Sequence, residues 1–178
     1  NVLNSSPWSG LRSTTIKLGV FDQAFMRAER FIADSSAADA VAPAARMQNR
    51  ARRLLRVIFS RDEQVLELAD RYIGLPEALA IYKRTIGTGL IGGKSVGMLL
   101  AREILRKTDP QWAEEWLEPH DSFYIGSDVF YTFLVENGLW WTRRRFAMPD
   151  SSFSEAAEAR QRIMLGSFST AIIRQFMD

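Results

Sequence analysis

The residues best suited to chemistry lie in one glycine-rich stretch. Four glycines fall within seven positions, and a lysine and a serine follow directly: Gly87, Gly89, Gly92, Gly93, Lys94 and Ser95. Glycine lets a ligand approach the backbone closely, and the first turn of a helix offers unpaired N–H groups at the positive end of its dipole. Because an apolar helical pattern begins after Lys94, the stretch predicts an anion-binding helix start. We expect this helix start to contact a phosphate through the backbone N–H groups of Gly92, Gly93 and Ser95 and through the Lys94 ammonium.

Two well-known phosphate-binding motifs match this stretch only in part. The P-loop pattern G-x-x-x-x-G-K-[ST] ends correctly at 93–95, but its first glycine would fall at Thr88, and residues 79–84 have a helical pattern instead of a strand. The dinucleotide pattern G-x-G-x-x-G matches residues 87–92, also without a preceding strand, and one such match has low specificity. Spacing alone leaves two alternatives for Lys94, a phosphate contact or a solvent-exposed lysine after a structural turn.

Few other residues have the types that catalysis or metal binding requires. His120 is the only histidine and the chain has no cysteine, which excludes multi-histidine metal clusters, thiolate zinc sites and disulfides. We expect a structural hydrogen-bonding role for His120. Asp121 and Asp128 are candidate magnesium ligands, but helix capping explains Asp128 without further assumptions.

The composition is that of an ordinary globular chain. It has 178 residues, 47% of them hydrophobic, which is enough for one domain with a core. The chain has 23 basic and 21 acidic residues, and the resulting net charge of +2 does not favour nucleic acid or an anionic membrane as a partner. The sequence contains neither a transmembrane-length apolar run nor a signal-peptide layout, and we expect a cytoplasmic location.

The elements that must position the glycine-rich stretch are mostly helices. Apolar spacing predicts four short helices in residues 20–84, with a linker at 34–43 and a capping box at 60–63, where Ser60 is the cap. Alternation at 122–127 predicts one clear strand, and helices follow it. Since an isolated strand leaves its ladder unpaired, we expect its partners in a C-terminal part or in another chain.

Two segments combine arginines in a way that suits phosphate or nucleic acid. The helix at 46–58 carries five arginines, and residues 140–145 contain two tryptophans followed by three arginines. We favour simpler interpretations of both. The helical arginines would pair with Asp62, Glu63, Glu67 or partner domains, and the tryptophan–arginine segment would form a subdomain edge or an interdomain interface.

A family resemblance covers about residues 85–138. Residues 92–99, Gly-Gly-Lys-Ser-Val-Gly-Met-Leu, resemble the G-G-K-[GAS]-x-x-x-L motif in the N-terminal nucleotide-binding domain of pyruvate phosphate dikinase and phosphoenolpyruvate synthase. Residues 122–134 are similar to that family's strand-to-helix segment, P-x-G-F-x-[VI]-[ST]-[TS]-x-A-[FY], although residues 118–122 replace its Pro-x-Gly. Residues 139–178 match only loosely, in their helical layout.

The resemblance implies a predominantly helical α+β fragment of an ATP-dependent phosphotransferase. Residues 1–84 would form a helical N-terminal region, and residues 85–178 the start of an incomplete ATP-grasp-like domain with few strands. ATP and magnesium are the implied cofactors, with Gly92, Gly93, Lys94 and Ser95 at the phosphates. Because Asn1 is not methionine and the family's magnesium ligands, phosphohistidine domain and pyruvate-binding barrel have no counterpart here, we expect a piece of a longer enzyme, inactive alone and bound to its missing C-terminal domains.

An alternative of another class fits the same residues. In it, the chain is a helical interaction or regulatory module, whose glycine loop is structural and whose arginine-rich helix binds a partner. No sequence feature decides the final phosphoryl acceptor, and a homo-oligomer stays open.

Overall fold

The computed structural model describes residues 19–37, 44–118, 121–146 and 153–177, and these ranges contain ten helices and two short strands. In chain order the elements are α1 (Val20–Ala37), α2 (Ala44–Ile58), α3 (Glu63–Tyr72), α4 (Leu75–Lys83), β1 (Thr85–Ile86), α5 (Gly93–Thr108), α6 (Pro110–Trp116), β2 (Tyr124–Ile125), α7 (Ser127–Glu136), α8 (Trp140–Phe146), α9 (Phe153–Leu165) and α10 (Thr170–Met177). The described fold is predominantly helical with two strands, as the sequence predicts at this level.

The first four helices lie where the apolar spacing places them, but two boundaries differ. Helix α1 continues to Ala37, so the predicted linker at 34–43 begins later, and its part at 38–43 lies outside the described residues. Residues 34–37 contain neither glycine nor proline, and nothing in their backbone stops the helix. Helix α4 begins at Leu75, after Gly74, with Pro76 in its first turn.

The cap of α3 is Asp62, not Ser60 as the capping box predicts. The Asp62 carboxylate accepts hydrogen bonds from the N–H groups of Gln64 (2.9 Å) and Val65 (3.2 Å), whereas the Ser60 hydroxyl accepts the N–H of Asp62 (3.0 Å). A charged acceptor at the positive helix end is the stronger cap, which explains the shift of two residues. Glu63 becomes the first residue of the helix and is free to bind elsewhere.

Two of the five arginines of α2 pair with acidic residues, which confirms part of the prediction for this helix. Arg52 contacts Glu63 and Asp70, both at 3.2 Å, and Arg56 contacts Glu63 at 2.7 Å. Of the predicted partners only Glu63 is used in these pairs, since Asp62 is occupied as a cap. Asp70 was not anticipated, because its pairing depends on how α3 packs across α2.

Helices α1 to α5 share one apolar core. Its most deeply buried large side chains come from four of them and from the connections between them: Phe25, Leu55, Ile58, Leu66, Ile73 and Leu75. Ile91, Val96, Leu100 and Tyr124 belong to the same cluster, so the core extends from the helical N-terminal region into the segment that follows residue 84. None of the helices in the described ranges has the length and apolar character that crossing a membrane requires.

The two strands form a small parallel sheet, and β1 was not predicted. Thr85 pairs with Tyr124 and Ile86 with Ile125, and α5 and α6 connect the strands. The predicted strand at 122–127 shortens to two residues, with the expected alternation: Tyr124 is buried, whereas Phe123 and Ile125 are exposed. Because the strands are parallel, the glycine-rich stretch after β1 and the start of α7 after β2 lie at the same sheet edge.

Candidate phosphate-binding site

The glycine-rich stretch forms the connection from β1 to α5. Gly87 and Gly89 have positive φ angles of 72° and 84°, a conformation that side chains rarely adopt, so these two glycines are required by the turn. Gly92 is the N-cap of α5, with extended backbone (φ −64°, ψ 146°) and no side-chain cap. The connection thus has two halves, a tight turn at 87–91 and a helix start at 92–95.

The tight turn is held by the first residues of α7. The Thr88 N–H and hydroxyl donate to the two carboxylate oxygens of Asp128, at 2.6 and 2.8 Å, and the Leu90 N–H donates to the Ser127 hydroxyl at 3.2 Å. In return, the N–H groups of Ser127 and Asp128 donate to the carbonyl oxygens of Leu90 (2.9 Å) and Thr88 (3.2 Å). We call these five hydrogen bonds the loop clamp. They use two of the first N–H groups of α7 that would otherwise be open.

Two further amides of the tight turn are also occupied. The Gly87 N–H donates to the Gln175 side-chain oxygen of α10 at 2.7 Å, and the Ile91 N–H donates to the Ile58 carbonyl at 2.8 Å. A Cβ atom at Gly126 would overlap the carbonyl oxygen of Thr88, so the turn and α7 are in close backbone contact. The amides at 87, 88, 90 and 91 are therefore bound to protein acceptors, which argues against a dinucleotide-type phosphate cradle in this half.

The helix start at 92–95 is open. The helical hydrogen bonds begin with the Val96 N–H, which donates to the Gly92 carbonyl at 3.1 Å, so the N–H groups of Gly93, Lys94 and Ser95 precede the ladder. None of these three groups bonds to any of the residues that the structure describes. A Cβ atom at Gly92 or Gly93 would meet nothing within 4 Å, so none of the described residues packs against the side-chain positions of these two glycines.

Lys94 stands at this open helix start. Its side chain is exposed and makes no ion pair within the described ranges. The sequence-predicted group Gly92, Gly93, Lys94 and Ser95 is thus brought together on one exposed surface that carries three free amides and one ammonium. This arrangement can bind an anion by charge-assisted hydrogen bonds, but it encloses the anion less than a P-loop would.

The other candidate residues do not assemble into a site. Asp128 belongs to the loop clamp and does not cap its own helix, where Gly126 holds the N-cap position. Asp121 is exposed and lies 3.5 Å from Arg84. His120 lies outside the described residues. Among the residues that are described, no group of three or more metal-binding side chains is found.

A second place with phosphate-binding residue types lies between α8 and α9. A cavity of about 130 Å³ there is lined by Thr142, Arg145, Glu158, Ala159 and Arg162. The guanidinium of Arg162 is paired with Glu158 at 2.7 Å, which offsets the positive charge of the cavity. The open start of α5 is therefore the stronger candidate for binding an anion.

Sequence reasoning missed the residues that shape the turn. Ser127 and Asp128 lie about 40 positions after their partners, and Gln175 lies 88 positions after Gly87, so no local pattern links them. No family model, curated protein or solved structure matches this chain. The geometry of the site is consequently the main guide to its chemistry.

Proposed function

We propose that this chain is the N-terminal part of an ATP-dependent phosphotransferase of the pyruvate phosphate dikinase and phosphoenolpyruvate synthase type. Its role is to bind a nucleotide phosphate at the start of α5. The observation that carries the proposal is that, among the described residues, neither the N–H groups of Gly93, Lys94 and Ser95 nor the Lys94 ammonium has a partner. The resemblance of residues 92–99 and 122–134 to that family supports the same assignment.

The chemistry of phosphoryl transfer agrees with such a surface. Catalysis of this reaction consists mostly of positioning the phosphates and neutralising their charge, which backbone amides and a lysine both do. The N-terminus of a 16-residue helix adds the positive end of its dipole, and α5 has no acidic residue in its first turn to oppose it. The Lys94 side chain is long enough to follow the phosphate as the nucleotide settles.

The proposal assigns the remaining chemistry to other parts of the protein. The proposed ligand is ATP with magnesium. In this proposal, the acidic residues that hold the metal and the histidine that accepts the phosphoryl group belong to domains outside this chain. The chain by itself would then bind nucleotide weakly and would not catalyse. A cytoplasmic location belongs to the same proposal.

A second candidate function is a helical interaction or regulatory module without catalysis. The loop clamp favours it, because its five hydrogen bonds stabilise the glycine-rich turn at 87–91 without any ligand. In that case the open helix start at 92–95 has only water as its partner, and Lys94 is a surface residue.

Titration of the ¹⁵N-labelled chain with Mg-ATP, followed by amide chemical shifts, separates the two functions. We expect saturable shifts at Gly93, Lys94, Ser95 and Val96 in the millimolar range, because exposed amide sites bind phosphate weakly. Lys94→Ala should abolish saturation. Lys107→Ala is the matched control, since Lys107 is exposed in the last turn of the same helix, where its ammonium donates to the Arg71 carbonyl at 3.2 Å, and its replacement should leave the titration unchanged.

Two outcomes would contradict the nucleotide-binding proposal. One is the absence of shifts at the start of α5 at the highest soluble Mg-ATP concentration. The other is an identical titration for wild type and Lys94→Ala. Inorganic phosphate and adenosine are titrated separately, because a response to phosphate without one to adenosine shows that the surface contacts only the phosphate moiety.

A further inference from the structure

Helices α7 and α8 together expose a surface of aromatic rings and arginines. Phe130, Tyr131 and Trp141 are 52%, 42% and 68% exposed, and Arg143 and Arg144 lie over them. We call these five residues the arginine–aromatic face. Large aromatic side chains that remain this exposed on two helices in contact are typical of binding surfaces.

The arginines of this face lie within cation–π distance of the rings. The Arg143 guanidinium carbon lies 5.5 Å from the centre of the Tyr131 ring and 5.9 Å from that of Phe130, and the Arg144 guanidinium carbon lies 5.5 Å from the centre of the Trp141 ring. A guanidinium in such a contact still has N–H groups that can donate to a carboxylate. Neither arginine has an ion pair with the residues that the structure describes.

The face is presented by a well-packed hairpin. Gly138 has a positive φ of 69°, and the Leu139 N–H donates to the Leu134 carbonyl at 2.7 Å, which closes the end of α7. Leu134 and Leu139 are buried with Ala159 in a separate small core. Since the inner side of the hairpin is filled in this way, the exposure of the rings on its other side does not come from loose packing.

We propose that the arginine–aromatic face binds an acidic protein segment, one that places an apolar or aromatic side chain between carboxylates. Charge complementarity supports this occupant, because α8 carries three arginines and no acidic residue. Of the two acidic residues of α7, Asp128 is engaged by Thr88, and Glu136 lies at the last position of the helix. Tryptophan, tyrosine and arginine are the residues that contribute most energy at protein interfaces.

The dimensions of the face favour a protein segment over a nucleic acid. Helix α8 has seven residues, so it is about 10 Å long, whereas single-stranded nucleic acid is bound along a basic groove that accommodates at least about four nucleotides. The net charge of +2 also gives little general attraction for a polyanion. An acidic peptide needs only the few carboxylates that two bidentate arginines can hold.

The test selects peptides from a random dodecapeptide phage library against the purified chain and measures the binding of the enriched peptides by fluorescence anisotropy. We expect enriched sequences with aspartate or glutamate on both sides of an apolar residue. The double variant Arg143→Glu/Arg144→Glu should weaken their binding by at least about tenfold, because the charge attraction becomes repulsion. Trp141→Ala should weaken it by a similar factor.

Matched controls separate this effect from unfolding and from a change in net charge. Arg27→Glu/Arg30→Glu reverses the same number of exposed charges on α1 and should leave binding unchanged. Arg143→Lys/Arg144→Lys keeps the charge but loses the planar guanidinium that can bind a carboxylate through two N–H groups, so an intermediate affinity is expected even if the glutamate variant does not fold.

Three outcomes would overturn the inference. The first is a selection without enrichment of acidic residues. The second is equal binding to wild type and to both the lysine and the glutamate variants. The third is tight binding of oligo-dT or of phosphatidylserine vesicles with no binding of acidic peptides, which would assign the face to nucleic acid or to membranes. The inference does not depend on nucleotide binding at α5.

Discussion

Replacing Asp128 tests whether the loop clamp holds the glycine-rich turn. The carboxylate accepts two hydrogen bonds from Thr88, at 2.6 and 2.8 Å, in a partly buried setting. Hydrogen bonds to charged groups contribute about 1.5–3 kcal/mol each, and we take the lower value because the pair is partly exposed. Asp128→Ala should therefore lower the free energy of unfolding by about 3 kcal/mol. Asp128→Asn keeps one acceptor and should cost about 1 kcal/mol.

The measurement is urea unfolding monitored by circular dichroism, with the free energy obtained by linear extrapolation. Thr88→Val removes the hydroxyl but keeps the backbone N–H, so a double-mutant cycle with Asp128→Ala isolates the hydroxyl–carboxylate bond at about 1.5 kcal/mol of coupling. Asp121→Ala is the control, because Asp121 is an exposed carboxylate with one long ion pair to Arg84, and it should change stability by less than about 0.5 kcal/mol.

A specific result would refute the clamp. If Asp128→Ala and Asp121→Ala shift the unfolding midpoint equally, the hydrogen bonds to Thr88 contribute nothing net. The amide spectrum gives an independent check, because loss of the clamp should move the Thr88 and Leu90 signals strongly and the signals of α2 hardly at all. Large shifts throughout α1 to α4 would mean that Asp128 acts on the whole core, which the local contacts do not predict.

Three other features of the fold can be tested in the same way: its glycine positions, the buried Tyr82 and the end of α7. Gly126→Ala should destabilise the fold by at least about 2 kcal/mol, because the added Cβ atom would overlap the backbone of Thr88. Gly97→Ala is the contrasting case: its Cβ atom would meet nothing within 4 Å, so the better helix propensity of alanine should stabilise the fold by about 0.5–1 kcal/mol in the same urea assay. Burial raises the pKa of Tyr82, as do the charge of Asp22 and the 3.0 Å hydrogen bond from the Tyr82 hydroxyl to its carboxylate. Because the pKa in the folded state lies above that in the unfolded state, the free energy of unfolding should fall above about pH 10. Urea unfolding across this pH range should show a smaller fall for Tyr82→Phe. Asn137→Ala removes one hydrogen bond to the Phe133 carbonyl of α7 and two to the backbone of Ser167, between α9 and α10. Thermal unfolding should show a free energy of unfolding lower by about 2 kcal/mol. An unchanged stability would mean that these hydrogen bonds contribute nothing net.

The helices could be predicted from the sequence because their determinants are local. The apolar stripe of α2, with Leu54, Leu55 and Ile58 buried, is visible in any helical projection of residues 44–58. The capping box predicts the cap of α3 two residues too early, because Ser60 and Asp62 are both residue types that cap helices, and the backbone conformation decides which of them does so. Spacing alone could not distinguish these alternatives.

The candidate site was predictable only in its second half. Gly92 to Ser95 form a helix start because a glycine turn followed by an apolar pattern has a local meaning. Strand β1 has two residues, too few for any alternation to be visible, and its existence depends on pairing with Tyr124 and Ile125. The closure of the turn at 87–91 likewise depends on Asp128, about 40 residues later, and becomes apparent only when the two strands are side by side.

The two helices that begin at this sheet edge differ in whether protein acceptors bind their first N–H groups. Helix α7 directs its first N–H groups at the carbonyl oxygens of Leu90 and Thr88, so its positive end is already satisfied by protein. Among the described residues, none accepts the N–H groups of Gly93, Lys94 and Ser95 at the start of α5. This difference, together with the exposed Lys94 ammonium beside the start of α5, is the observation on which our proposal of phosphate binding rests.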